Sequence, residues 1–202
     1  MIKFEEFTGG ILETNAFLLS APGGNILIDA PQGADQHFAT ERIDVLLLTH
    51  GHFDHVADAA AIQRRHGCRL YYHPETLPMV TDPDFFRSWG FALDVEPVNG
   101  GELLTATEDF ELAGVHFKVL EVPGHCPGSL CFYLKQDGLL FGGDVLFRSG
   151  IGRWDLPGGD HDLLVSGIRE KIFSLPPATR VFPGHGPATT VGHEQKENLW
   201  LR

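Results

Sequence analysis

Apolar residues in this chain come in short blocks bounded by Gly, Pro, Asn and Asp, the punctuation of strands and short helices. NAFLLS at Asn15–Ser20 and NILIDA at Asn25–Ala30 predict two strands joined by a turn at Ala21–Gly24. A short helix is predicted over Ala34–Arg42. The run VLLLT at Val45–Thr49 is nearly all apolar and predicts a strand buried on both faces. Asp54 then opens a helix that reaches about His66 and stops at Gly67. Its small residues, Ala57 and Ala59–Ala61, allow close packing on a sheet. Arg69–Tyr72 predicts another strand.

Pro74 to Asn99 is rich in Pro and aromatic residues, with weak periodicity, and reads as short helices and loops. The second half repeats the rhythm of the first. His116–Val122, Leu130–Lys135 and Gly138–Gly142 predict strands, and Asp160 caps a helix running to about Phe173. Arg180–Phe182 is a last short strand and His193–Leu201 a closing helix. Strands followed by helices, twice over and with no long linker, predict a single domain over residues 1–202, an α/β fold with helices packed outside sheets.

Composition narrows the function. The chain has 202 residues and a net charge of -12, which disfavours nucleic acid and anionic membrane surfaces as partners, because phosphate binding runs on Lys and Arg. The N-terminal segment shows no basic region followed by an apolar core, and no apolar run approaches a membrane span. Three cysteines, Cys68, Cys126 and Cys131, in no framework spacing read as free thiols of a cytoplasmic protein. No feature sets an oligomeric state.

The chemistry lies in LLLTHGHFDHVADA, Leu46–Ala59, where His50, His52, Asp54 and His55 follow directly on a buried strand. Catalytic zinc-type metals take imidazole and carboxylate ligands. Further candidates stand just past other predicted strands, each directly after Gly: His125, Asp144 and His185. A lone His after a turn is usually a surface residue, so their joint placement carries the weight. Five His and two Asp exceed the needs of one catalytic metal and fit two, with one carboxylate shared.

These residues lie in segments that resemble the metallo-β-lactamase superfamily, and within it the glyoxalase II (hydroxyacylglutathione hydrolase) branch. The segments are THGHFDH at 49–55, PGHCPGS at 123–129, GGDVLFRSGIGRWD at 142–155 and FPGHGP at 182–187. The resemblance implies a four-layer αββα sandwich with the metals at one edge. It assigns His50, His52 and His125 to one metal, Asp54, His55 and His185 to the other, and Asp144 to a bridge between them. It also implies that Asp29, at the end of NILIDA, supports a ligand imidazole; a solvated loop Asp is the plain alternative. Two divalent cations per chain are expected, zinc first, with iron or manganese also compatible.

The implied activity is hydrolysis of a small-molecule thioester such as S-lactoylglutathione by attack of a metal-bridging hydroxide, with Asp54 as a proton acceptor. The sequence departs from glyoxalase II in several places. The chain is expected to lack that enzyme's C-terminal helical region, which helps to bind glutathione, and its segment GHEQKENLWLR at 192–202 resembles a short bacterial subgroup. Arg153 stands where that enzyme has Lys, Asp155 where it has Tyr, and Cys126 where it has Thr. Arg153 is either a grip on substrate oxygens or the partner of Asp155.

A second implied function is a mononuclear iron persulfide dioxygenase acting on glutathione persulfide, with iron on His50, His125 and Asp144. His185 in its FPGHGP setting favours the hydrolase. A β-lactamase and a nuclease fit less well, the first for want of a secretory signal and the second for want of a basic surface. Cys126, next to a candidate ligand, reads as small and buried, with a redox-sensitive thiol or soft metal contact as the alternative. Phe85–Phe91 is open between lining a substrate groove and packing the core. His37, His66, His73, His116, His161 and His193 receive no role.

Overall fold

A computed structural model describes residues 2–90 and 95–202. The first sheet begins with a meander, β1 (Lys3–Gly9), β2 (Thr14–Ala21) and β3 (Gly24–Ile28). It continues in parallel through β4 (Val45–Leu47), β5 (Arg69–Tyr72) and β6 (Glu102–Leu103). The second sheet runs antiparallel through β7 (Thr107–Leu112), β8 (Val115–Glu121), β9 (Leu130–Leu134) and β10 (Leu139–Gly143). A two-strand hairpin, β11 (Leu146–Phe147) and β12 (Gly150–Ile151), follows. The chain then rejoins the second sheet, first with β13 (Arg180–Pro183), parallel to β10, and then with β14 (Thr189–Thr190).

The apolar blocks are unbroken because both faces of each sheet are covered. On β4, Val45 and Leu47 face the second sheet while Leu46 and Leu48, just beyond the strand, face helices. On β9, Leu130, Phe132 and Leu134 face the first sheet while Cys131 and Tyr133 face outward to helices. Three apolar layers result, one between the sheets and one under each helical layer, which is the αββα sandwich. The helices over the first sheet are α1 (Ala34–His37), α2 (Phe53–Val56), α3 (Ala59–His66) and α4 (Leu77–Thr81). Over the second lie α5 (His161–Gly167) and α6 (Val191–Glu197). Among the described residues no helix is long and apolar enough to cross a membrane.

Several predicted elements differ in extent. The helix expected from Asp54 to His66 is broken in two. The carbonyl of His55 accepts from the amide of Ala30 at 2.8 Å, and the amide of Asp58 donates to the carbonyl of Ala30 at 2.9 Å, so the chain after β3 takes bonds that a continuous helix would keep. The helix expected over Ala34–Arg42 ends at His37. The closing helix ends at Glu197, and Leu199–Leu201 forms a separate turn. Strand β1 has no clear apolar pattern because none of its side chains is fully buried, and it holds its place by pairing with β2 over Lys3–Gly9 and by the half-buried rings of Phe4 and Phe7 against the core.

The site lies where strand ends converge. Parallel pairing of β3 with β4 and of β10 with β13 brings four C-terminal ends to one edge. Two backbone bonds close the sandwich there: Leu130 N to Thr49 O at 2.7 Å and Asn15 N to Gly184 O at 2.7 Å. Behind them Phe4, Phe17, Phe141 and Phe182 fill the space between the sheets, with Phe141 stacked on Phe182 at 5.3 Å between ring centroids.

Candidate metal centre

The loop after β4 delivers His50 and His52, and α2 carries Asp54 and His55. The loop after β8 delivers His125, and the ends of β10 and β13 deliver Asp144 and His185. All seven come together. Donor atoms of His50, His52 and His125 lie within 4.8 Å of one another, as do those of Asp54, His55 and His185. A third such group, His50, His55 and Asp144, spans the other two. Asp144 Oδ1 is 3.2 Å from His55 Nε2, and its Oδ2 is 3.4 Å from His125 Nε2 and 3.3 Å from His185 Nε2. One carboxylate therefore faces both triads.

The outer ring nitrogens are fixed. His55 Nδ1 donates to Asp29 Oδ2 at 2.8 Å, His125 Nδ1 to the carbonyl of Arg153 at 2.8 Å, and His185 Nδ1 to the carbonyl of Leu12 at 2.9 Å. Carboxylates and carbonyls only accept, so Nδ1 carries a proton and Nε2 is the nitrogen turned inward, able to ligate once it has given up any proton of its own. The Thr49 hydroxyl donates to Asp29 Oδ2 at 2.7 Å and lies 3.1 Å from His50 Nδ1, which extends the same pattern to His50. Asp29 also accepts from the Thr49 amide at 2.8 Å. Its backbone is left-handed, with φ 60°, a conformation that costs a non-glycine residue about 1–3 kcal/mol and is held here by these three bonds.

The donor set fits metal ions. Among the described residues His52 Nε2 is buried with no hydrogen-bond partner, and His55 Nε2 and Asp144 Oδ1 are buried 3.2 Å apart with no hydrogen bond formed by either, a condition that is expensive unless something else engages them. Burial pushes His50 well below its ordinary range and His52 down to about 3, and it lowers His125 too, so these rings are neutral, the form that ligates. The other half is anionic. Burial opposes charge on both carboxylates, but the His55 and His185 rings outweigh it, holding Asp54 at about 2 and Asp144 well below its usual range. Burial likewise opposes charge on His185, and its bonds to Asp144 and Asp54 still raise it to about 10. Asp144, Asp54 and Asp29 raise His55 against its burial in the same way. This half of the site is built to hold positive charge.

Space is kept for the donors by glycine. A Cβ on Gly184 would collide with Asp144 Oδ1 and would come within 2.5 Å of the His55 ring.

Arg153 contributes its carbonyl to His125, while its guanidinium pairs with Asp155 through Nε at 2.8 Å and Nη2 at 2.9 Å. The pairing with Asp155 read from the sequence is thus formed. Cys126 is fully buried with its sulfur 3.9 Å from Met79 Sδ, and burial pushes its thiol up to about 12. The aromatic stretch divides its work: Phe86 is core, Trp89 packs edge-on against His52 at 5.9 Å and lines the cavity, and Phe91 lies outside the described residues. Among the described residues no other histidine joins a metal-competent group: His37 pairs with Glu5, His116 with Asp109 and His161 with Asp162.

Sequence reading missed four supporting residues. Thr14 Oγ1 donates to Asp54 Oδ2 at 2.7 Å, and Asn15 Nδ2 donates to the carbonyls of Pro183 at 3.1 Å and Gly186 at 3.0 Å, framing His185. Leu12 and Thr49 anchor imidazoles as described. Only Thr49, adjacent to the histidine cluster, carried any signal. The cluster opens on a cavity of about 660 Å³ whose walls include Leu12, Phe53, Trp89, Phe147 and Ile151.

Residues 9–185 match the profile of the metallo-beta-lactamase superfamily. The hydroxyacylglutathione hydrolase GloC of Haemophilus influenzae is 35% identical over 94% of this chain and 88% of its own. The crystal structure of BLEG-1 B3 metallo-beta-lactamase superposes with a TM-score of 0.91 at 33% identity, over 98% of this chain and 99% of the other. That of TTHA1623 in a di-iron-bound form superposes with a TM-score of 0.86 at 38% identity, over 98% and 100%.

Proposed function

This chain belongs to the metallo-beta-lactamase superfamily, and on that footing we propose that it is a dinuclear metal-dependent hydrolase of thioesters, with S-lactoylglutathione the first substrate to try. The observation that carries the reading is Asp144, whose two oxygens face both donor triads. His50, His52 and His125 would hold one cation, Asp54, His55 and His185 the other, and Asp144 both. Divalent cations so held lower the pKa of a water towards neutrality and polarise a carbonyl oxygen. The likeness to the di-iron form of TTHA1623 keeps iron beside zinc and manganese as the metal to load.

The chain's own residues do the rest. Asp54 borders the cavity, with the Thr14 hydroxyl fixing one carboxylate oxygen at 2.7 Å. It takes the proton of the water that adds to the thioester carbonyl carbon. The carbon–sulfur bond then breaks, the thiolate leaves with that proton, and a carboxylic acid and a thiol are the products. No serine or cysteine nucleophile is needed, consistent with Cys126 being buried and turned to Met79. Phe53, Trp89 and Phe147 limit water around the reacting carbonyl.

The test is elemental analysis of the purified protein together with hydrolysis of S-lactoylglutathione, with a chromogenic β-lactam alongside because of the BLEG-1 likeness. About two metal atoms per chain and thioester cleavage are expected. One iron per chain with oxygen uptake on glutathione persulfide, or cleavage of the β-lactam alone, would overturn the reading.

A further inference from the structure

A second cavity, of about 240 Å³, adjoins the one over the donor cluster. Leu12, Phe53 and Asp54 line both, so the two are neighbours across these three residues. Beyond them the second cavity is walled by Ile11, Ala57 and Val95. Ile11 is 85% exposed and Leu12 47% exposed, large apolar side chains standing in solvent at the tip of the β1–β2 turn. The turn does not hang loose: the bond from His185 Nδ1 to the Leu12 carbonyl ties it to the cluster. Ile11 and Leu12 thus form, with Phe53 and Val95, a contiguous apolar lining beside the donor cluster, the kind of concave surface that takes a ligand.

Charge says what kind of ligand. The second cavity carries Asp54 and Asp58 and no cation among its described lining residues. Among the described residues the first has one cation besides its histidines, Arg153, and Asp155 fills its fork. The carboxylates of a glutathionyl arm would find no free guanidinium or ammonium in either cavity among the described residues. An uncharged aliphatic chain would cover Ile11, Leu12, Phe53 and Val95.

We propose that the two cavities form one seat for an aliphatic acyl thioester, with the carbonyl at the donor cluster and the acyl tail passing between Phe53 and Leu12 into the second cavity. This rests on the thioester reading and changes the favoured substrate from a short hydroxyacyl glutathione to an acyl chain on an uncharged thiol. Each methylene buried on binding is worth about fourfold. Lengthening a propionyl to a hexanoyl group therefore raises kcat/KM on pantetheine thioesters by tenfold or more.

The experiment compares the metal-loaded protein on S-propionyl-, S-hexanoyl- and S-octanoylpantetheine and on S-lactoylglutathione. In parallel, calorimetry measures binding of uncleavable S-octyl and S-(2-hydroxypropyl) thioethers of pantetheine. Rising kcat/KM with chain length and tighter binding of the octyl thioether, by tenfold or more, support the seat. Gln32→Trp, at an exposed residue on the rim of the second cavity, is expected to cut the hexanoyl-to-propionyl ratio at least fivefold. Binding of the octyl thioether with no thioester cleaved would sink the reaction assigned above and leave the seat standing. Equal binding of both thioethers, or a preference for S-lactoylglutathione over S-hexanoylpantetheine, would overturn the seat itself.

Discussion

Asp29 Oδ2 accepts the Nδ1 proton of His55 at 2.8 Å, although Asp29 sits in a left-handed backbone conformation just past β3. The same carboxylate holds Thr49, the residue before His50. One side chain thus orients ligands on both sides of the site.

Asp29→Asn keeps a residue that tolerates the left-handed backbone but removes the anionic acceptor. We expect metal affinity to fall about 10–100-fold, measured by competition with a chromophoric chelator. An unchanged affinity would refute the positioning role.

Asp144→Asn should lower metal content to below about one atom per chain and turnover by about 100-fold or more. Elemental analysis and a thioester assay on the same preparation check this. Full occupancy at normal rate would rule out a shared carboxylate.

Gly184→Ala isolates the steric argument, because its backbone φ is not in the left-handed range that only glycine adopts freely. The added Cβ must displace Asp144 or His55. A loss of at least about 1 kcal/mol in urea denaturation is expected, with weaker metal binding. Retained affinity and stability would mean the donors have room that the geometry denies.

Cys131 is fully buried, its sulfur donates to the carbonyl of Gly142 at 3.4 Å, and burial pushes the thiol up from 9.0 to about 12. A folded pKa above the unfolded one contributes stability that is complete below about pH 9 and is lost as pH rises through 12. Wild type should therefore lose stability between pH 9 and 11 more steeply than Cys131→Ala, read from urea midpoints. Parallel declines would show that the thiol does not contribute. The folded thiol should also resist alkylation at pH 8.

Glu194 is a buried carboxylate that accepts from Ser149 N at 2.9 Å and Asn198 Nδ2 at 2.9 Å and from the Thr189 hydroxyl. It secures the β11–β12 hairpin, which carries Phe147 and Ile151 into the cavity wall. Glu194→Ala leaves buried donors unpaired and should cost about 2 kcal/mol or more, seen in thermal and urea denaturation. A loss below 0.5 kcal/mol would show that water replaces it freely.

Much of this was legible in the sequence, for identifiable reasons. The unbroken run at Val45–Thr49 announces a strand covered on both faces, and the donors that follow Gly after strands announce one crowded edge. Strand β1 was not legible because only Phe4 and Phe7 of its side chains pack on the core, too few for a pattern, and backbone pairing with β2 sets its register. The break at Ala57–Asp58 was hidden because it is made by Ala30, distant in sequence. Thr14 and Asn15 gave no signal for a similar reason: their partners, Asp54 and Pro183, are 40 and 168 residues away. Arg153 was readable in two ways, and only the structure shows its fork closed on Asp155.

Each donor triad draws two members from the first half of the chain and one from the second: His50 and His52 with His125, Asp54 and His55 with His185. Among the described residues neither half holds a whole triad. An ion captured here acts as a rivet through the seam between the two sheets. Metal uptake therefore serves as a gauge of whether the halves have docked: a chain severed in the connection between β6 and β7 would take up metal only as its two fragments reassociate.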